Sequence, residues 1–157
     1  MAEFHLRSAK QTDGDAIRAL IHRVGINPFG LAWNRFVVAE SCDSLLIGCG
    51  QLKPHKDGSI ELASIAVEEP YRGQGIARAM IEYLLARAPR PLYLMCRPAL
   101  GGFYAQFNFR AAGEDELPPY FRRIRRVVRV AGVLTRKEGP LIMWLDEETS
   151  QQIGTQE

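Results

Sequence analysis

Two glycines beside an arginine, set between an apolar run and a helical pattern, are the residues of this sequence best suited to hold an anion. The stretch reads Glu61-Leu-Ala-Ser-Ile-Ala-Val67, then Glu-Glu-Pro70-Tyr-Arg72-Gly73-Gln74-Gly75-Ile76-Ala77. A strand that runs into such a turn and opens a helix leaves backbone N–H groups without intrahelical partners at the positive end of the helix dipole. A phosphate or pyrophosphate suits that end. Gly73 and Gly75 let the backbone approach the anion closely, and Arg72 adds positive charge. Taken alone, the same residues also suit a plain tight turn with a solvated arginine. No Gly-Lys-Ser/Thr closes the turn, so it is not a P-loop. It also lacks the third glycine and the βαβ setting of a dinucleotide fingerprint.

The elements around this turn follow from periodicity. Phe4 and Leu6 alternate with polar neighbours and predict a short first strand. Thr12 or Asp13 is expected to cap a helix carrying Ile17, Leu20, Ile21 and Val24, which Gly25 ends. Residues 25–34 read as a loop or broken helix. Short connections between apolar runs predict an antiparallel meander over 35–40, 45–52 and 59–67. Residues 75–88 are predicted helical, with Ile76, Met80, Tyr83 and Leu84 on one face and Pro89 beyond the end. A buried strand over 92–96 and a helix over 100–107 follow. Pro118-Pro119 then opens a helix with Phe121, Ile124, Val128 and Ala131 on one face, and a last strand covers 141–145. This order predicts an α/β fold, one mixed sheet with helices on its faces. A single domain is expected over 1–146, followed by a polar tail over 147–157.

Bulk properties exclude several classes. A chain of 157 residues suits one domain, and 46% hydrophobic with 24% charged residues is ordinary globular usage. A formal charge of +2 does not by itself imply a nucleic-acid partner. Cys42, Cys49 and Cys96 are odd in number and follow no zinc spacing, so they read as reduced thiols of a cytoplasmic protein. His5, His22 and His55 are scattered, with no pair at ligand spacing, and no metal is expected. Nothing local supports a Cys–His catalytic pair. The N-terminus does not read as a signal peptide. No apolar stretch approaches the ~20 residues of a membrane span.

Arg72-Gly-Gln-Gly75-Ile-Ala77 resembles the acetyl-CoA signature of the GNAT acetyltransferase superfamily, Gln/Arg-x-x-Gly-x-Gly/Ala. Phe103-Tyr104-Ala105-Gln106-Phe107-Asn108-Phe109 resembles the same family's Phe-Tyr-x-x-x-Gly-Phe, at a similar spacing. The resemblance covers residues 35–109, and the two ends by element order only. Asn108 departs from the usual glycine, though asparagine tolerates a left-handed backbone. Arg97-Pro98 stands where the family carries an asparagine. The resemblance implies a GNAT-like fold, with a mixed, mostly antiparallel central sheet flanked by helices. It implies acetyl-CoA as co-substrate and no metal. Ile65, Ala66 and Val67 would hold the pantetheine arm and the thioester. Arg72, Gly73, Gln74, Gly75, Ile76, Ala77 and Arg78 would hold the pyrophosphate. The Val67 N–H would polarise the thioester carbonyl. Many relatives pair, which leaves a homodimer open here, although no residue proves one.

Transfer to an amine needs a base, because a lysine-like ammonium has a pKa of about 10.4. Glu61 matches a glutamate that serves as base in some relatives, and period-two alternation puts it on one face with Ala63, Ile65 and Val67. An exposed strand carboxylate or a buried ion pair is the alternative. Tyr104 matches the tyrosine that protonates the leaving CoA thiolate, and a core tyrosine among Phe103 and Phe107 is its alternative. Trp33, Arg35 and Arg126 are candidates for the acceptor pocket, with structural roles equally open. Residues 120–129 set apolar side chains on one helical face and arginines on the other. That face suits a solvated surface, an acidic acceptor, or nucleic acid and CoA phosphates. With Glu-Leu-Pro after Phe109, the region weakly resembles the acetyltransferase domain of N-acetylglutamate synthases, which implies a carboxylated amine such as an amino acid. A protein-lysine acetyltransferase, a non-catalytic acetyl-CoA sensor and an RNA-associated protein are the other readings.

Overall fold

Alternating apolar residues form the expected strands in the computed structural model, which describes residues 2–135 and 138–147. The tail expected over 147–157 lies outside the described residues from 148 onward. Two packed units emerge: residues up to Lys53 with Leu62–Ala88, and Pro54–Glu61 with the residues from Pro89.

In the first unit, β1 (Phe4–Ser8), β2 (Phe36–Ser41), β3 (Leu46–Pro54) and β4 (Ile60–Val67) are hydrogen-bonded in that order. β1 and β2 run antiparallel from Phe4↔Ser41 to Ser8↔Val37, and β2 and β3 antiparallel from Phe36↔Gln51. Helix α1 (Gly14–Val24) buries Ile17, Leu20 and Ile21 against Phe36, Val38, Cys49 and Ala66. It stops at Gly25, as its sequence predicts. Helix α2 (Ile76–Leu85) buries Ile76, Met80, Ile81 and Leu84 and ends three residues before the expected boundary. It closes on β3 at Gly48 and Gly50. A Cβ on Gly50 would lie 2.5 Å from the Ile65 side chain and 3.3 Å from Leu84. Cys49 faces α1 and its neighbours face α2, so the two helices cover opposite faces of the strands.

Asp13 does not cap α1 with its side chain. Its carboxylate instead accepts the Lys10 N–H at 2.6 Å and the Arg7 guanidinium at 2.7 and 3.1 Å. Arg7 also grips Glu40, and its hydrogen bonds hold the Asp13 carboxyl below its ordinary range. The ion pair with Arg7 and the bond from the Lys10 N–H therefore take the carboxylate that would have capped the helix.

In the second unit, the start of β4 pairs in parallel with β5 (Leu92–Cys96) through Glu61↔Tyr93. β5 runs antiparallel to β7 (Leu141–Leu145), with Leu92↔Leu145 at one end and Cys96↔Leu141 at the other. β7 also pairs with β6 (Arg110–Ala111), a two-residue strand too short to leave a sequence pattern. Helix α3 (Gly101–Ala105) is shorter than the expected 100–107. Helix α4 (Pro119–Thr135) opens at the proline and drives Phe121 into a cluster of Tyr93, Ala112, Leu117 and Ile142. Ile124 and Val128 are half-buried on that side, but Ala131 is exposed, so the apolar face is shorter than expected. The seven strands are thus mixed and mostly antiparallel, with helices packed on them, as the resemblance implies. Among the described residues, no helix is long and apolar enough to cross a membrane.

Candidate active site

The glycine turn belongs to the first unit. A 3₁₀ turn over Glu69–Tyr71 leads from β4 to Arg72, whose Nε donates to the Val67 carbonyl at 3.2 Å. Gly73 and Gly75 take left-handed φ values of 73° and 81°, which disfavour a side chain. An added Cβ would meet nothing within 4 Å at either position. Backbone conformation and open access, rather than packing, therefore require glycine here. Gly75 occupies the N-cap of α2 and has no side chain to satisfy the first-turn N–H groups. Buried Ile76 anchors the turn, while Arg72 and Arg78 stay exposed, Arg78 lying 3.7 Å from Glu82. Gln74 accepts the Ala2 N–H at 2.7 Å, which ties the start of the chain to the turn. This open, N–H-rich turn with two exposed arginines fits a pyrophosphate.

The strand before it is kinked. Ser64 has φ 58°, and strict alternation fails across it. Ile65 reaches toward Leu84 of α2, whereas Ala66 joins the α1 cluster. The single face expected for Glu61, Ala63, Ile65 and Val67 is therefore interrupted. Gln51, fully buried, donates to Ser64 Oγ at 2.8 Å and to the Gly30 carbonyl at 3.2 Å, fastening the loop after α1 to the kink. Neither Ser64 nor Gln51 was singled out in the sequence. A polar residue inside each largely apolar strand was the available signal. Beyond the kink, the Glu68 N–H bonds Ile47 of β3. By strand alternation the Val67 N–H points to the other edge, where Arg72 already holds the Val67 carbonyl.

Glu61 and Tyr104 both belong to the second unit. The Glu61 side chain is only 8% exposed, which excludes an exposed carboxylate, and His55 Nε2 lies 2.7 Å from its Oε2. The histidines were read as scattered. A turn of the chain between β3 and β4 pairs this one with a carboxylate six residues on. His55 stacks on Tyr120 at 3.6 Å between ring centroids and meets the edge of Phe121 at 5.6 Å. Burial, and then the charges of Glu61 and Asp57, push the Tyr120 phenol up.

Tyr104 is buried between the edges of Phe103 and Phe109. Burial, with the nearby Cys96 thiol adding to it, pushes the Tyr104 phenol up to about 12. It thus keeps its proton at neutral pH, which suits a donor. Asn108 takes φ 68°, filling the left-handed position where relatives carry glycine. Arg97 is an exposed cap of the 3₁₀ turn over Pro98–Leu100.

The acceptor candidates divide. Trp33 and Arg35 lie on an exposed 3₁₀ turn of the first unit. Arg126 belongs to the second unit, where it lines a cavity of 330 Å³ with Arg122, Arg129, Glu114 and Asp115. Arg129 pairs with Glu114 at 2.5 Å, and Arg122 donates to the Leu117 carbonyl at 3.0 Å, while Arg126 has no ion pair among the described residues. Cys49 and Cys96 are buried free thiols and Cys42 an exposed one. Among the described residues, no cluster of His, Cys, Asp and Glu could hold a metal ion.

Residues 32–111 match the family model described as an acetyltransferase (GNAT) domain. The fold is shared with N-acetylglutamate synthase from Neisseria gonorrhoeae, solved with coenzyme A and N-acetyl-glutamate, at TM-score 0.71 and 22% identity. That match covers 93% of this chain and 35% of the synthase, so the chain spans about a third of that protein's length. Rv2747 from Mycobacterium tuberculosis, in complex with CoA and NLQ, matches at TM-score 0.70 and 22% identity over 90% of this chain and 98% of its own. The GNAT family N-acetyltransferase YhbS from Escherichia coli, in complex with CoA, matches at TM-score 0.56 and 22% identity over 71% of each chain.

Proposed function

The chain belongs to the GNAT acetyltransferase family, and from that premise we propose that it moves acetyl from acetyl-CoA to the primary amine of a carboxylated small molecule such as an amino acid. The observation that carries the reading is the turn from Arg72 to Arg78, with its left-handed glycines and uncapped helix start. Its N–H groups and arginines receive the pyrophosphate. Ile65, Ala66 and Val67 run along the pantetheine arm, and the Val67 N–H steadies the thioester oxygen as negative charge develops there. Glu61 takes the proton of the acceptor ammonium, and the freed amine attacks the thioester carbon. The carbon–sulfur bond then breaks, Tyr104 supplies a proton to the departing CoA thiolate, and the second proton shed by the acylated nitrogen returns to Tyr104 through water. No covalent enzyme intermediate is needed.

The choice of acceptor rests on Arg126. An exposed guanidinium with no carboxylate partner among the described residues, lining a cavity, offers a planar fork to an acceptor carboxylate. The synthase of matching fold was solved with N-acetyl-glutamate, which supports the same class. Asn108 holds a left-handed backbone where the resemblance puts glycine, which weighs against a non-catalytic acetyl-CoA sensor. We take residues 1–146 as one catalytic domain. We place the reaction in the cytoplasm, where buried thiols such as Cys49 and Cys96 stay reduced.

The test is CoA release with L-glutamate, L-glutamine, spermidine and a lysine peptide, wild type beside Glu61→Gln. Release with an amino acid that falls about 10²–10⁴-fold in the variant supports the reading. Release with the lysine peptide alone points to a protein substrate. Acetyl-CoA binding without release from any amine supports the sensor, and absence of binding refutes the function.

A further inference from the structure

We propose that His55 is a positioning residue for Glu61: its imidazole holds one carboxylate oxygen so that the other meets the acceptor ammonium. The proposal rests on the reading of Glu61 as the base.

Three observations carry it. First, the two side chains are 6% and 8% exposed and sit 2.7 Å apart through His55 Nε2 and Glu61 Oε2. At that distance a proton lies between them, and with Glu61 ionised, as a base must be, it sits on His55 Nε2, which donates to the carboxylate. Second, the ring is held from several sides. It stacks on Tyr120 with an interplanar angle of 17° and meets the edge of Phe121. The His55 backbone N–H donates to the Ser59 carbonyl at 2.9 Å, which fixes the main chain that carries the ring. Asp57 locks that turn to α4 by accepting the Ser59 N–H at 2.9 Å, the Ser59 hydroxyl at 2.6 Å and the Tyr120 N–H at 2.9 Å. Third, Glu61 Oε1 has no hydrogen-bond partner among the described residues, yet it is not one of the sealed-in unpaired polar atoms. That oxygen is left without a bond in the resting site, and in the proposal it is the one that receives the acceptor's proton.

Packing alone does not account for this arrangement. Burying a carboxylate and an imidazole costs desolvation that their pairing rarely returns, and apolar replacements of such pairs are often neutral or stabilising. A site that needed only a ring against Tyr120 would be served by phenylalanine. What a ring nitrogen adds is direction. A carboxylate fixed at one oxygen presents the other in one orientation, and a base acts only within hydrogen-bond reach of the proton it takes.

His55→Phe and His55→Gln separate the donor from the ring. Phenylalanine keeps the stack and loses the N–H, whereas glutamine loses the stack and keeps an amide N–H. Steady-state CoA release is measured with L-glutamate, or with the fastest amine of the panel if L-glutamate is inert. His55→Phe is expected to lower kcat about 10–100-fold, the worth of one hydrogen bond to a charged group. Its KM for acetyl-CoA should stay within about twofold, since the ring holds the base rather than the CoA turn. His55→Gln should recover most of kcat. A purely structural ring gives the reverse order, with Phe near wild type and Gln slow, and that order overturns the proposal.

Glu61→Gln and the double variant Glu61→Gln/His55→Phe are run in parallel. A slow Glu61→Gln with His55→Phe at the wild-type rate overturns the positioning role alone. Full turnover in Glu61→Gln removes the base and this proposal with it, as does the absence of release with every amine. The double variant should be no slower than Glu61→Gln. A readout on the wild type needs no folded variant: imidazole nitrogen resonances should show His55 protonated at Nε2, and a bare Nε2 overturns the proposal.

Discussion

Replacing Gly75 by alanine separates the proposed anion-binding role of the turn from its effect on folding. Gly75 has φ 81°, and a Cβ there would meet nothing within 4 Å. The folding cost is therefore the left-handed penalty of an L-residue alone, about 1–2 kcal/mol. For a chain of this size that lowers Tm by about 2–8 °C. Gly25 supplies a matched control, with φ 76° and an equally empty surround at the end of α1. Gly25→Ala should lose the same stability. The two variants should part on acetyl-CoA. An alanine that shifts the Gly75 backbone turns first-turn N–H groups away from the pyrophosphate. Each hydrogen bond lost to a charged group is worth about 1.5–3 kcal/mol, or about 10–150-fold in Kd. Calorimetric titration of acetyl-CoA into wild type, Gly75→Ala and Gly25→Ala, with melting curves of each, reads both quantities. If Gly75→Ala binds acetyl-CoA as tightly as Gly25→Ala, the turn does not hold the pyrophosphate and the site is misplaced.

Three further outcomes are expected. The Tyr104 phenol lies near 12 in the folded chain, against about 10 unfolded, so its contribution to stability is whole below about pH 10 and fades toward pH 12; Tyr104→Phe should flatten that alkaline loss in melting curves while slowing turnover. Asp13 is held low by Arg7, so its contribution is whole above about pH 4 and is lost as pH falls through its depressed folded range; Asp13→Asn should lower Tm at pH 7 and converge on wild type in acid. Phe121 is fully buried against Tyr93 and His55, so Phe121→Ala should cost about 3–5 kcal/mol in denaturant unfolding.

Much of the fold was legible because its signals are local. Apolar residues three and four apart marked α1 and α2, and the glycine after Val24 marked the end of α1. The final strand over 141–145 matched residue for residue, because an apolar pentad bounded by proline and aspartate admits few other readings. Asn108 could be assigned a left-handed turn from residue type alone, and φ 68° agrees. The misses have separate causes. Asp13 looked like a helix cap, but Arg7 and the Lys10 N–H engage it. Ala131 fitted the apolar face of α4 but stands exposed, as do Val127 and Val130 at 67% and 62%. The two-residue β6 had no periodicity to offer.

The candidate site divides along the same line. Sequence by itself determined the residue types on offer: a glycine turn at Arg72–Arg78 suited to an anion, a strand carboxylate at Glu61 and a tyrosine in an aromatic motif. Residue type and short spacing carry those properties, and both glycines take the left-handed φ values that the turn demands. Only the tertiary structure decided which groups stand together. It buried Glu61, set His55 against it, stacked that ring on a tyrosine 65 positions away and kinked β4 at Ser64 under a hydrogen bond from Gln51. Such pairings depend on the meeting of segments remote in sequence. A local pattern records what a residue can do, and the packing of distant segments selects the partner with which it does it.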